Sequence, residues 1–233
     1  MCTKAVSVNV RTLSEKLQVP VAVPQTTGRT TGMENREDGD VLPTDLSPVI
    51  THHRPREIQY MRWGLVPATT VDLASVPAMF NARAETLTEL RSFRDLIMTH
   101  RCLILNRGFY EHEKQVDERV TWKIRPVGEE FFYKAGLWTT WRGAGGQLIE
   151  SFTMITCDPL DTAMSRVHHR MPIILNKAER RLWMNPNATK EQLLALLKPC
   201  AAEMYTIEEH SRKLLKEPKA PKKLKRDNDN LLF

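Results

Sequence analysis

Short strand-like runs, one after another with few helices between them, constrain this chain most. Ala5-Val6-Ser7-Val8-Asn9-Val10 alternates with the period of a half-buried strand and carries the amino terminus straight into a sheet. Similar runs recur at Pro48 to Thr51, Glu57 to Trp63, Cys102 to Tyr110, Val120 to Ile124, Phe131 to Ala135, Leu137 to Trp141, Glu150 to Thr156 and Met171 to Leu175. The runs at Val120 to Ile124 and Phe131 to Ala135 are expected to pair across Gly128, and Gly143-Ala144-Gly145-Gly146 to form a turn. Helical signals are short. They are Thr12 to Leu17 with a Thr or Ser cap, Glu89 to His100 with Leu90, Phe93, Leu96 and Ile97 in register, and a short helix or turn within Asp161 to Arg170. Two capping patterns, Asn176-Lys177-Ala178-Glu179 and Thr189-Lys190-Glu191-Gln192, open two more, the second expected to run through Leu197. Strands outnumber helices without regular alternation, which gives an α+β domain. Pro20 to Ser47, rich in Thr, Gly, Pro and Asp without periodicity, reads as a long, partly mobile loop.

A chain of 233 residues accommodates one domain with a substantial core. We place that domain at residues 1–211 and a basic tail, expected to be disordered, at 212–233. The formal net charge is +6, but the tail alone carries eight basic residues against three acidic ones. The body is therefore nearly neutral, and an argument for nucleic-acid binding there must rest on local patches. No run of roughly 18 apolar residues suggests a membrane span, and the amino terminus lacks a signal-peptide core, so a cytoplasmic protein, nucleoid-associated when bound to DNA, is expected.

Cys2, Cys102, Cys157 and Cys200 are scattered with no Cys-x-x-Cys pair, which argues against a disulfide framework and a zinc module. Neither a metal nor a cofactor is expected. Cys102 and Cys157 lie in apolar runs and read as core; Cys200 looks incidental. Cys2 differs in kind. Removal of Met1 would leave an amine and a thiol on adjacent carbons, with pKa values of about 7.7–8.0 and about 8.5, so both have reactive fractions near neutrality. The amine can capture an aldehyde as a Schiff base, and the thiol can then close a five-membered thiazolidine. A free terminal amine can also act as base for its own side chain.

Four polar motifs interrupt apolar stretches: Arg62-Trp63-Gly64-Leu65-Val66-Pro67, Asn81-Ala82-Arg83-Ala84-Glu85, Gly108-Phe109-Tyr110-Glu111 and His168-His169-Arg170-Met171-Pro172. With Cys2, and in this order from Cys2 to about Leu197, they resemble the SOS response-associated peptidase family of abasic-site-shielding proteins. The resemblance implies a single domain of mixed, mostly antiparallel sheets forming a barrel-like core with a few flanking helices. It implies a monomer that binds single-stranded DNA containing abasic sites, including single-strand/double-strand junctions. Cys2 would be the nucleophile, joined in catalysis by Asn81, Glu111 as acid/base, and His168 as proton donor to the sugar ring oxygen. Arg83, Lys4, Arg62, Trp63, Thr156 and Arg170 would contact DNA.

Taken alone, these residues have plainer readings. Glu111 can start a solvated turn, Asn81 can cap a turn, Arg83 can pair with Glu85, and Trp63 reads as core. The chain also departs from the family pattern. Thr3-Lys4 stands for the usual Gly-Arg, Leu105-Asn106-Arg107 precedes Gly108 where the family has Pro-Ala and then Asp or Asn, and His112 replaces a Trp. The reacting groups are kept, and the departures fall on the expected DNA-facing rim. Two other activities fit the same residues: a thiol autopeptidase acting on its own amino terminus, and a non-covalent reader of single-stranded or modified DNA.

Overall fold

A computed structural model describes residues 4–24, 26, 39–77, 79–160 and 162–214. Cys2, residues 25 and 27–38 of the expected loop and residues 215–233 of the tail lie outside the described residues. In chain order the elements are β1 (Ala5–Val6), α1 (Val10–Leu17), β2 (Asp40–Val41), β3 (Leu46–Thr51), β4 (Gln59–Trp63), β5 (Asn81–Arg83), α2 (Leu96–Thr99) and β6 (Arg101–Asn106). They continue as β7 (Gly108–Lys114), β8 (Glu118–Pro126), β9 (Phe132–Arg142), β10 (Leu148–Cys157), β11 (Met171–Pro172), α3 (Lys177–Trp183), α4 (Lys190–Leu194) and β12 (Tyr205–Leu214).

The expected α+β barrel is what forms. Strands β10, β4, β3, β6 and β9 pair in that order, and β9 pairs back onto β10, closing a five-stranded barrel. All of these pairs are antiparallel except β10 with β4. The central strand β10 also takes β5 in parallel and β11 antiparallel at its carboxyl end. A second, antiparallel sheet, β12-β8-β7-β1-β2, covers the barrel. Val49, Met61, Phe109, Ile124, Leu137 and Phe152 from both layers share one core, as two packed layers of secondary structure require.

Several local expectations change for physical reasons. The first strand stops at Val6 because the Asn9 side chain accepts the backbone N–H groups of Arg11 and Thr12, capping α1 three residues before the expected helix start. The stretch from Glu89 forms turns, with helix only at Leu96–Thr99. Phe93 N–H bonds to Leu90 O and Leu96 N–H to Phe93 O, three-residue spacings that still bury Phe93 and Ile97. The expected pairing across Gly128 does not form. β8 pairs with β7 and β12 in the covering sheet, whereas β9 pairs with β6 and β10 in the barrel, so the connection passes between layers. Both capping boxes form; α4 stops at Leu194 rather than Leu197. Strand β12 runs to Leu214, past the boundary expected at residue 211.

The fully buried Arg101 ties two helix ends to the barrel. Its guanidinium donates to the carbonyls of Ile97 and Met98 at α2, and of Trp183 and Asn185 at the end of α3. These are the acceptors that a helix terminus leaves unsatisfied.

Candidate active site

The carboxyl end of β10 brings three of the motifs together. β5 pairs with it in register, Asn81 opposite Met154 and Arg83 opposite Thr156, while Pro172 of β11 pairs with Thr156 from the other side. The Arg62–Pro67 motif builds the seat for β5. Trp63 Nε1 donates to Phe80 O at 2.9 Å, Gly64 N–H bonds to Phe152 O, and Arg62 closes onto Gly64 O at 2.8 Å. Gly64 sits at φ +127° with the Phe80 ring so close that a Cβ would lie 2.9 Å from it. Only glycine takes that backbone comfortably.

Glu111 comes from β7 in the other layer and is 2% exposed. Its Oε2 lies 3.9 Å from His168 Nε2. Burial pushes the Glu111 carboxyl up to about 7, against the pull of nearby positive charge from the chain's amino terminus and Lys134. Burial likewise holds the His168 imidazole down at about 4. His168 Nδ1 lies 3.0 Å from Arg170 N and 3.2 Å from Arg170 O, and Nε2 is the edge that faces Glu111. At neutral pH the pair is therefore a neutral imidazole beside a carboxyl that is partly protonated, rather than a fixed ion pair. A group titrating near 7 can serve as acid in one step and base in another.

The structure distributes the other expected site residues unevenly. Asn81 stands half-buried on β5, and Arg83 is exposed with no ion pair among the described residues. Lys4 forms a 2.7 Å ion pair with Asp40 and lies over the Tyr110 ring. Trp63 is core: it is 3% exposed and packs parallel to Phe152, so it offers no face to a nucleobase. Arg62 is spent on backbone bonding at the same seat. The Thr156 hydroxyl is buried and clips β10 to Ala82 O of β5. Arg170 grips Glu85 with a two-pronged fork at 2.9 and 2.8 Å and also donates to Thr156 O. That hydrogen bonding holds the Glu85 carboxyl down at about 2. Arg62, Trp63, Thr156 and Arg170 thus all bond within the fold around β5 and β10.

Cys102, Cys157 and Cys200 are all buried, and burial pushes the Cys157 and Cys200 thiols up to about 12 and the Cys102 thiol up as well. None is a nucleophile near neutrality. Among the described residues no His, Cys, Asp or Glu cluster could hold a metal, and no helix is long and apolar enough to cross a membrane.

Sequence reasoning missed Lys134, which is fully buried on β9 with Nζ donating to Asn106 Oδ1 at 3.2 Å. The signal was present: a lysine inside the apolar run Phe131-Phe132-Tyr133-Lys134-Ala135 cannot be buried without partners. Glu85 as the partner of Arg170 was missed too, because the two lie 85 residues apart.

Residues 1–215 match the model of the family described as SOS response associated peptidase. The chain is 37% identical over 168 residues to the Bacillus subtilis "Abasic site processing protein YobE", covering 70% of this chain and 76% of that protein. It is 36% identical to "Abasic site processing protein YoqW" of the same organism, covering 70% and 74%. A solved structure of a protein from Bacteroides thetaiotaomicron superimposes with a TM-score of 0.73 at 25% identity, covering 93% of each chain.

Proposed function

Since this chain belongs to the SOS response-associated peptidase family, we propose that it recognises abasic sites in single-stranded DNA and captures them covalently through Cys2 as a thiazolidine. The observation that carries this reading is the buried Glu111–His168 pair at the foot of β1. Lys4 O accepts the Tyr110 N–H at 2.9 Å, next to Glu111 in the chain. On this reading Cys2, two residues before Lys4, supplies the nucleophile; two residues of chain span at most about 7 Å.

The chemistry follows from the protonation states. Protonated Glu111, or His168 when it carries a second proton, donates to the sugar ring oxygen as the C1′–O4′ bond breaks, the C1′ hydroxyl gives its proton to water, and the abasic sugar opens to its aldehyde. The Cys2 amine, deprotonated toward the Glu111 carboxylate, attacks the carbonyl carbon, and water leaves as the Schiff base forms. The Cys2 thiolate then adds to the imine carbon, the imine nitrogen takes a proton, and the five-membered ring closes. Asn81 stands on the adjoining strand to orient the amine, and exposed Arg83 is the phosphate contact. The identities of the names borne by relatives, abasic site processing proteins, support the same substrate.

The test mixes purified protein with an abasic single strand and runs a denaturing gel. A shifted band that disappears in Cys2→Ala is expected. Binding that survives Cys2→Ala unchanged and fades with salt, with no denaturant-stable band, would replace capture by non-covalent reading. The same buried carboxyl suits removal of Met1 by the chain itself. On that reading, mass spectrometry of Glu111→Ala finds Met1 retained.

A further inference from the structure

Lys134 is costly where it stands. It lies on β9 in the barrel wall, completely buried, and an apolar side chain of similar length would fill the space without desolvating a charge. Its ammonium is nevertheless well placed. Nζ donates to Asn106 Oδ1 at 3.2 Å and lies 4.5 Å from the centre of the Phe109 ring and 5.7 Å from that of Phe132. Ring faces attract a cation most strongly where water is excluded. Phe109 precedes Glu111 by two residues on β7, so both project from the same side of that strand. The cation is thus aimed at the side of β7 from which the candidate acid/base emerges.

We propose that Lys134, seated on Phe109 and held by Asn106, is a positioning residue whose buried charge sets the protonation of Glu111 and so the pH at which the site works. This rests on the reading of Glu111 as the acid/base, and deepens it. Groups on the surrounding elements act on Glu111. His168 reaches it from the β10–β11 connection at 3.9 Å and is neutral near pH 7. The positive charges of the amino terminus and Lys134 draw its carboxyl down, the His112 backbone N–H adds to them, and burial opposes all three. When the amine enters a Schiff base its charge state changes during the reaction. Lys134 is then the constant charge: it lies within the fold, is not consumed, and keeps the carboxylate accessible as a base throughout.

The test uses full-length Lys134→Met, a substitution that keeps the volume, and Asn106→Ala/Lys134→Met, which also removes the amide that would lose its partner. Glu111 is titrated directly in DNA-free protein by the 13C shift of its carboxyl, assigned with Glu111→Gln. Capture of an abasic single strand is timed between about pH 5 and 9. Removing the cation should raise both the midpoint and the acid limb of the rate by about one pH unit or more. Below the limb capture slows roughly tenfold, while the plateau at high pH stays within a few-fold of wild type. A folded variant, single or double, in which neither quantity moves makes Lys134 a space-filling residue and overturns the inference. A midpoint that moves in a protein whose wild type captures no abasic DNA leaves the electrostatic role standing and removes the proposed reaction instead.

Discussion

Glu111 shows how one buried carboxyl ties stability to chemistry. Its ordinary value of 4.5 rises to about 7 in the fold because burial disfavours its charge. The stability it contributes is present below 4.5 and is lost as the pH rises through 7, where the folded state must hold a carboxylate that the unfolded chain leaves in water. Glu111→Gln, a neutral isostere, should therefore be more stable than wild type by about 2–3 kcal/mol near pH 8, with the gain vanishing toward about pH 4.5; urea melts at several pH values read this. The same variant should capture abasic DNA about 10²–10⁴-fold more slowly. Wild-type capture should rise with pH through about 7 as the carboxylate forms. His168 has the opposite slope. Held at about 4 against an ordinary 6.5, its share is present above 6.5 and is lost as the pH falls through 4. A buried carboxyl that must ionise to act as a base leaves its site least stable in that form.

At the scale of elements, the Arg62–Pro67 motif works as a bracket that seats β5. Gly64→Ala should cost about 1–3 kcal/mol, from its positive φ and its contact with Phe80. By moving the strand that starts one residue later it should also slow capture, and a thermal melt beside the capture gel separates the two effects. The runs that became β3, β4, β6, β9 and β10 were readable because each has enough alternating or continuous apolar residues to declare a strand, whereas the single strand expected over Cys102 to Tyr110 divides at Arg107 into β6 and β7, which enter different sheets. Both capping boxes were readable as well, since their hydrogen bonds span only three residues. The turns before α2 were not, because Leu90, Phe93 and Ile97 keep helical spacing whether the chain turns in threes or fours. Nor was the failure of β8 to pair with β9. Their shared turn favoured a hairpin, and only the competing edges of β6 and β10 on one side and β12 on the other overruled it.

For the whole molecule, the charge asymmetry noted at the outset leads to a division of labour. Truncation after Leu214, which spares the β12–β8 pairing, should leave covalent capture intact. It should weaken non-covalent affinity for single-stranded DNA and flatten its salt dependence, measurable by titrating salt against a fluorescent strand. The sequence by itself determined the class of fold and proposed the reacting groups, because strand periodicity and the chemistry of an amino-terminal cysteine are local properties. It also named Glu111 and His168, although these meet across 57 residues and two layers. Only the tertiary structure decided what each polar residue does. Trp63 and Thr156 turned inward, Arg170 closed on Glu85, and Lys134 entered the core. Those outcomes depend on which surfaces the closed barrel leaves to water, and burial is settled by all the strands together.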